Sequence, residues 1–291
     1  MAGLAVLAGA CDGPRRTTPF DGEAAYRYVE EQVAFGPRVP NTGGHRRAGD
    51  WILAHLRRTA DTVEVRAFRH VTAGGDTLAL RNFVARFRPE RGDRVLFVVH
   101  WDTRPVADRA ANLADQRRPV PGANDGASGV AVLLGVADVL AAAPPSVGVD
   151  LLFVDGEDYG DWSARRDVLL GARRYAAELS PADHPLFAVV WDMVGDADLQ
   201  IHQEGYSLQA APEVVRRVWE TAHDLGYDDT FVPRVRHTVT DDHVPLIEAG
   251  VRAIDVIDFD YPWWHTPEDT PDKVSAESLK IVGDVAVALV M

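Results

Sequence analysis

The side chains best suited to chemistry in this chain are carboxylates and imidazoles placed just beyond apolar runs. Each of the main strand-like runs in the middle and at the end of the chain is followed closely by such a group, and one more opens a helical stretch. A carboxylate and imidazole set without cysteine is typical of a catalytic zinc site, and a further carboxylate beside it can manage proton transfer. In chain order the groups are His100, Asp125, Glu157, Asp158, Asp192 and His265.

Each of these residues also has a simpler structural explanation. A lone histidine at a strand end is more often a hydrogen-bonded structural residue, and Asp125 could cap the helix that follows it. Glu157 and Asp158 could form a solvated acidic turn, and Asp192 could simply end its strand. Taken together, the groups favour a site, because neighbouring carboxylates repel one another unless a cation offsets their charge.

The elements that position these groups alternate along the chain in the manner of an α/β protein. Several strand-like runs are almost continuously apolar, which suits strands buried on both faces of a sheet. We therefore predict one catalytic α/β domain over residues 22–291, with a central mixed, mostly parallel sheet flanked by helices on both faces. The predicted strands are 63–71, 81–88, 94–100, 149–154, 186–191 and 252–257, and the predicted helices are 22–34, 44–60, 126–142, 168–179, 212–225, 243–249 and 275–290.

This architecture makes the strand ends informative. In such sheets, functional groups collect just beyond the carboxyl ends of the parallel strands. The candidate groups follow their strands at this position, so we expect them to meet at one edge of the sheet. The sequence thus predicts a single site built by several loops.

Composition restricts the class of partner. The chain has 291 residues, of which 46% are hydrophobic and 25% charged, an ordinary globular mix. Its formal net charge of −14 argues against nucleic acid as a partner, because nucleic-acid binding needs a basic surface. An acidic surface suits a cationic ligand such as a peptide amino terminus. Nothing in the sequence indicates an oligomeric state.

The amino-terminal segment has the character of an export signal. Residues 1–10 are small and apolar and precede Cys11, which resembles the end of a bacterial lipoprotein signal. Residues 1–21 then form a signal remnant and tether, and the protein would be an exported periplasmic or cell-envelope lipoprotein held to the membrane by a lipid on Cys11. The apolar segment is too short to span a bilayer, and it lacks Lys and Arg, so the true start could lie upstream. The alternative is a frayed terminus with a chance cysteine.

The candidate groups lie in motifs that resemble a known superfamily. Five motifs in the same order resemble the zinc aminopeptidases and their glutaminyl cyclase branch, over about residue 25 to the end of the chain. The resemblance implies a zinc-exopeptidase-like fold and substrates that are the amino termini of peptides or proteins. The motifs are His100-Trp101-Asp102, GANDGASG at 122–129, Glu157-Asp158, Asp192 and His265-Thr266.

The same resemblance assigns a role to each group. Asp125, Asp158 and His265 would hold a zinc ion, and Glu157 would be the general base. Members usually carry Glu where Asp158 stands, so this position departs from the pattern. His100 and Asp192 would complete a second metal site in a peptidase, or give hydrogen-bond support in a cyclase; the cofactor is accordingly one zinc ion in a cyclase and two in an aminopeptidase.

Further residues resemble the cyclase branch in particular. Asp241 lies in the segment TDDHVP at 240–245, where peptidases typically have Ser. Trp264 and Trp162 match tryptophans that line the cyclase substrate pocket, and 36–44 resembles the cyclase segment before its first long helix. Tryptophans near a peptide pocket would, however, also serve an aminopeptidase.

Three functions follow from these motifs. The first is a glutaminyl-peptide cyclotransferase, which converts an amino-terminal Gln to pyroglutamate and releases ammonia. The second is a zinc aminopeptidase that hydrolyses the first peptide bond with two metals. The third, from a different class, is an inactive peptide-binding surface lipoprotein, against which the retention of Glu157 argues.

Overall fold

A computed structural model describes residues 17–180 and 183–291. The predictions for Cys11, its lipid and the signal segment at 1–10 lie outside these residues. Within them, the chain folds around one six-stranded sheet with helices on both faces, which confirms the predicted fold class.

The central sheet places its apolar strands in the middle. The strand order is β1-β2-β4-β3-β5-β8, in which β4, β3, β5 and β8 are mutually parallel and β1 and β2 are antiparallel additions at one edge. The three central strands are almost wholly buried, as their continuous apolar runs predict. These strands are β1 (Thr62–Val71), β2 (Thr77–Phe87), β3 (Arg94–His100), β4 (Gly148–Val154), β5 (Phe187–Asp192) and β8 (Ala253–Ile257).

The helices cover both faces of the sheet. Five of them contribute to the larger core on one face, and α4 with α7 packs on the other. The central helix α3 is buried nearly all round, so it lies inside the helical layer. The helices are α1 (Gly22–Ala34), α2 (Gly43–Thr59), α3 (Ala127–Ala142), α4 (Leu170–Glu178), α5 (Gly205–Ala210), α6 (Pro212–Asp224), α7 (His243–Glu248) and α8 (Ala276–Ala288).

Helix starts follow ordinary capping chemistry where the sequence supplies it. Asp21 caps α1 by accepting a hydrogen bond from the Ala24 N–H at 3.0 Å. Thr42 and Ser275 accept the corresponding bonds at the starts of α2 and α8. These side chains satisfy backbone donors that the first helical turn leaves unpaired, which helps to set the boundaries.

A small second sheet was not predicted from the sequence. Strands β6 (Ile201–Glu204) and β7 (Phe231–His237) pair in parallel, and α5 follows β6 directly. Strand β6 has only four residues, and most of β7 is solvent exposed and contains Pro233, so neither carries the apolar pattern used to predict strands. Strand β2 also begins at Thr77, not at 81, because residues 77–80 pair with β1.

No helix formed by the described residues combines the length and the apolar character needed to cross a membrane.

The packed structure begins earlier than the predicted boundary at residue 22. Phe20 is 3% exposed and belongs to the larger core, and the Thr18 hydroxyl donates to Asp284 on α8. A tether over 1–21 therefore does not describe Thr18 to Asp21, because Phe20 packs between α3 and α8, Thr18 bonds to α8 and Asp21 caps α1. Two glycines make room for the Phe20 ring: Gly135 on α3 and Gly283 on α8.

Phe20 and Gly283 provide a test of this packing. Phe20→Ala should lower the free energy of unfolding by about 3–5 kcal/mol, through lost burial and the cavity left behind. Gly283→Ala should cost about 1–3 kcal/mol, because the added Cβ would lie 2.3 Å from the Phe20 Cζ. The double variant should cost less than the sum, since each change relieves the other.

Urea denaturation of the three variants measures these values, with Leu186→Ala as the control because Leu186 is 55% exposed. Additive losses in the double variant would show that the two residues do not share this space.

Candidate active site

The candidate groups meet at the carboxyl edge of the parallel strands. His100 is the last residue of β3 and Asp192 the last residue of β5. Glu157 and Asp158 follow β4, and His265 lies in the loop after β8. Because these strands are parallel, their ends bring together residues that are far apart in the chain.

Asp125 reaches the site from the loop before α3. The helix N-cap is Gly126 at φ +93°, and no side chain caps the helix, so the capping explanation for Asp125 does not hold. Asp269 instead holds this loop, accepting the N–H groups of Asn124 at 2.8 Å and Asp125 at 3.1 Å. The Asp125 carboxylate is left to face the strand ends.

Asp125, Asp158 and His265 form a buried group of ligand type. The His265 Nε2 lies 3.3 Å from Asp158 Oδ2 and 3.6 Å from Asp125 Oδ2. One ligand atom from each residue lies within 4.8 Å of the others. Two ligand atoms on a tetrahedral ion with bonds of about 2.1 Å would be about 3.4 Å apart, so the observed separations suit zinc.

His100 and Asp192 form a second group with the same Asp125. The His100 Nε2 lies 3.0 Å from Asp192 Oδ1 and 3.2 Å from Asp125 Oδ1. Asp125 therefore offers one carboxylate oxygen to each group. Among residues 17–180 and 183–291, these two groups are the sets of three or more His, Cys, Asp or Glu that could hold a metal ion.

The polar atoms of the group formed by Asp125, Asp158 and His265 are suited to bind a cation. Asp158 Oδ2 is buried and makes no hydrogen bond, although His265 Nε2 lies 3.3 Å away and a buried carboxylate oxygen normally accepts one. Burial raises the pKa of Asp125, and the charge of Asp158 raises it further. A bound cation would satisfy the unpaired oxygen and offset the repulsion between the two carboxylates.

The other oxygen of Asp158 is already held by the protein. Asp158 Oδ1 accepts hydrogen bonds from Trp162 Nε1 and from Arg104 Nη1, both at 2.9 Å. Burial alone would raise the pKa of Asp158, but His265 and Arg104 outweigh it and lower that pKa. The shorter carboxylate at this position is thus fixed by two donors, with Oδ2 turned toward His265.

His265 is oriented from behind by a second carboxylate. Its Nδ1 lies 3.1 Å from Asp108 Oδ1, which leaves Nε2 facing Asp125 and Asp158. Asp108 in turn accepts two hydrogen bonds from Arg104, at 2.8 and 2.9 Å. A carboxylate behind a histidine in this way fixes the ring orientation of a metal ligand.

Glu157 is positioned through its backbone. Asp102 accepts the N–H groups of Glu157 at 3.0 Å and Asp158 at 3.2 Å, so both side chains project from one fixed turn. The Glu157 carboxylate is buried, with Oε2 3.6 Å from His100 Nδ1. Burial raises its pKa well above the usual value; His100 opposes this, and the charges of Asp158 and Asp241 add to it.

The groups open into a pocket of about 250 Å³ with aromatic walls. The Trp264 ring packs against His265 with the centroids 4.0 Å apart and the planes tilted by 31°, and its centroid lies 5.0 Å from that of Phe259. Trp162 also lines the pocket, as does Asp241, which is buried. Burial raises the pKa of Asp241 well above its usual value, and the charge of Asp192 raises it further.

The structure therefore brings all nine sequence-predicted site residues to one place. Trp162, Trp264 and Asp241 line the pocket, and the buried His100 lies 3.6 Å from Glu157, which also lines it. The supporting roles were missed, although Asp102 and Arg38 lie in segments that the resemblance had marked. Arg104 and Asp108 lie in a loop without periodicity, which gave no signal, whereas Asp269, four residues after His265, is a carboxylate that its position near the motif could have marked. The supporting residues are Asp102, Arg104, Asp108, Asp269 and Arg38, whose guanidinium donates to the carbonyls of Trp101 and Gly122.

Comparison with known proteins identifies a family and several similar structures. Residues 82–290 match the model of Peptidase family M28. The glutaminyl cyclase of Bacteroides thetaiotaomicron has a similar structure, with a TM-score of 0.90, 34% identity, and coverage of 94% of this chain and 99% of that one. A leucine aminopeptidase precursor from the same organism also has a TM-score of 0.90 and 34% identity, with coverage of 95% and 98%.

One curated relative is an aminopeptidase. The aminopeptidase YwaD of Bacillus subtilis is 28% identical over 273 residues, which cover 87% of this chain. The chain spans only 51% of that relative's length. Both solved structures match equally well although they carry different enzyme names, so similarity supports a cyclase or an aminopeptidase without choosing between them.

The predicted zinc-enzyme superfamily is thus confirmed by the fold, by the groups of ligand type at the strand ends and by a family match over most of the sequence: the chain belongs to Peptidase family M28.

Proposed function

We propose that this protein is a zinc-dependent glutaminyl-peptide cyclotransferase that converts an amino-terminal Gln to pyroglutamate. The observation that carries the proposal is the pocket itself. Two buried carboxyl groups with raised pKa values, Glu157 and Asp241, face a small cavity walled by Trp162 and Trp264. Such a cavity suits one side chain folded back on its own amino group, and it has aromatic surfaces that exclude water.

The reaction needs one proton carrier and no water. The α-amine nitrogen attacks the side-chain amide carbon, a C–N bond forms, and the bond to the amide nitrogen breaks to release ammonia. Glu157 takes the proton from the amine and delivers it to the departing nitrogen. A carboxyl group with a raised pKa suits this double role, since it must accept and donate near neutral pH.

The ligand group supplies the remaining chemistry. Asp125, Asp158 and His265 would hold a zinc ion, which would supply Lewis-acid chemistry for the amide carbonyl. Asp241 hydrogen-bonds one of two groups. A bond to the amide nitrogen would hold the Gln side chain in the attacking geometry, and a bond to the Glu157 carboxyl would orient the general base. Trp264, which packs against His265, forms the wall against which the substrate lies. The protein thus contributes mainly orientation.

A zinc aminopeptidase is the second candidate, favoured by one observation. The group of His100, Asp125 and Asp192 could hold a second ion, and a two-metal site is typical of hydrolysis by water. Glu157 would then take a proton from water. The two reactions thus differ in metal number and in product, and both are measurable.

The first test compares two peptides by mass spectrometry. With the zinc-loaded protein, a peptide that begins with Gln should lose one ammonia while its chain stays intact. A matched peptide that begins with Leu should remain unchanged. Release of free Leu, or of free Gln, would contradict the cyclase and support the aminopeptidase.

The role of Glu157 predicts a large and specific loss of activity. Glu157→Gln should lower kcat by about 100-fold to 10,000-fold, since the amide cannot carry the proton. Zinc content should not change, because Glu157 is outside the proposed ligand set. Glu268→Gln is the control, because Glu268 is an exposed glutamate in the loop after β8 and does not line the pocket. Activity retained in Glu157→Gln would refute this mechanism.

Metal content separates the two candidate reactions. The cyclase should bind one zinc ion per chain, lose it in Asp125→Asn, and keep it in His100→Gln. Removal of the metal with a chelator should lower the melting temperature, because the ion binds only the folded site. Elemental analysis gives the stoichiometry, with Asp198→Asn as an exposed control. Two ions in the wild type, one of them lost in His100→Gln, would favour the aminopeptidase.

A further inference from the structure

One arginine lines a pocket that is otherwise strongly acidic. Five carboxyl groups face the pocket, namely Asp125, Glu157, Asp158, Asp192 and Asp241. In the part of the chain that the structure describes, Arg165 is the only Lys or Arg side chain among the lining residues. Its side chain is exposed, so it stands at the mouth of the pocket and not at its base.

A tight turn fixes Arg165 at this place. Asp161 and Arg166 pair across the turn, and the Arg165 N–H donates to the Trp162 carbonyl at 3.2 Å. Arg165 has φ +50°, a left-handed conformation that a non-glycine residue adopts only where its surroundings impose it. Trp162 lies in the same turn, and its indole N–H donates a hydrogen bond to Asp158 Oδ1 at 2.9 Å. The turn that carries Arg165 is therefore connected to the proposed ligand group.

Asp167, which follows Arg166, holds the carboxyl-terminal end of this turn in place. The Asp167 carboxylate lies 2.7 Å from His70 Nε2 and accepts the Ala73 N–H at 2.9 Å. These contacts tie the turn to β1 and the loop after it. The position of the Arg165 backbone is therefore set from both sides.

The Arg165 guanidinium has no partner of its own. It makes no ion pair or side-chain hydrogen bond with any residue of 17–180 or 183–291, whereas Arg104 in the same region pairs with Asp158 and Asp108. The neighbouring Arg166 lies 3.9 Å from Asp161 and does not line the pocket. An unpaired guanidinium presents a planar fork of donors that matches a carboxylate.

We propose that Arg165 binds a carboxylate carried by the second residue of the substrate. This inference rests on the proposed action at the amino-terminal residue. A pocket of about 250 Å³ is small for a ligand site and takes the first residue, so the second lies at the mouth. The acidic interior attracts the substrate ammonium, and Arg165 then attracts a negative charge one residue further along.

Two sources could supply this carboxylate: an acidic side chain at the second position, or the chain terminus of a dipeptide. Their shared chemistry is one carboxylate within reach of Arg165. Gln-Glu-Ala-amide against Gln-Gln-Ala-amide tests the side chain. Gln-Ala as the free acid against Gln-Ala-amide tests the terminus.

The measured quantity is the ratio of kcat/KM for the charged peptide to that for its neutral partner. The wild type should prefer the charged peptide by about fivefold, the range of an exposed ion pair. The preference should shrink in 0.5 M NaCl, because salt screens such pairs. It should fall to about one in Arg165→Gln and be partly restored in Arg165→Lys. Arg166→Gln is the matched control and should keep the wild-type ratio.

The outcomes separate this inference from the proposed function. If the wild type cyclises both peptides and Arg165→Gln leaves the ratio unchanged, or if the wild type shows no preference, the role of Arg165 is refuted and the cyclase stands. If no ammonia is released, the cyclase is refuted. Binding of the same peptides, followed by intrinsic tryptophan fluorescence, then decides the role of Arg165 without turnover: equal dissociation constants for charged and neutral peptides would overturn it.

Discussion

The structure depends on the burial of many carboxyl groups at one edge of its sheet. Six of them are 7% exposed or less, and an isolated buried anion is strongly unfavourable. The surrounding residues therefore have to supply positive charge or hydrogen-bond donors. Several loops at this edge of the sheet do so through Arg104 and through backbone N–H groups. The six groups are Asp102, Asp125, Glu157, Asp158, Asp192 and Asp241.

The cost of burying these carboxyl groups is offset in different ways. Groups that are fully hydrogen-bonded shape the loops, and groups that are not can bind a cation. Asp102 is satisfied by backbone N–H groups, so it shapes a loop and is not free to react. Arg38 is fully buried and donates to the carbonyls of Trp101, Pro121 and Gly122. Burial lowers the pKa of Arg38 to about 10, although nearby aspartates oppose that change. What remains unsatisfied, above all Asp158 Oδ2, is left for a cation.

The sequence predicts the parts of this arrangement that have local patterns. Strands β3, β4 and β5 are continuous apolar runs, and the parallel-sheet rule places the residues that follow them at one edge. The support for the site has no such pattern: Arg104 meets Asp158 across 54 positions, and Asp269 meets Asn124 across 145. These contacts depend on how irregular loops fold over the edge, and neither spacing nor periodicity encodes that. For the same reason β6 and β7, short or exposed, were missed.

The ligand groups do not distinguish the two candidate reactions, because Asp125 offers one oxygen to each group and so suits one ion or two. The choice depends on what the pocket wall admits beside Glu157. A cyclase must hold a folded Gln side chain and exclude water, whereas a hydrolase must admit water and let the second residue cross the metals. Trp264 and Asp241, which line that wall, are therefore better placed than the ligands to change the reaction.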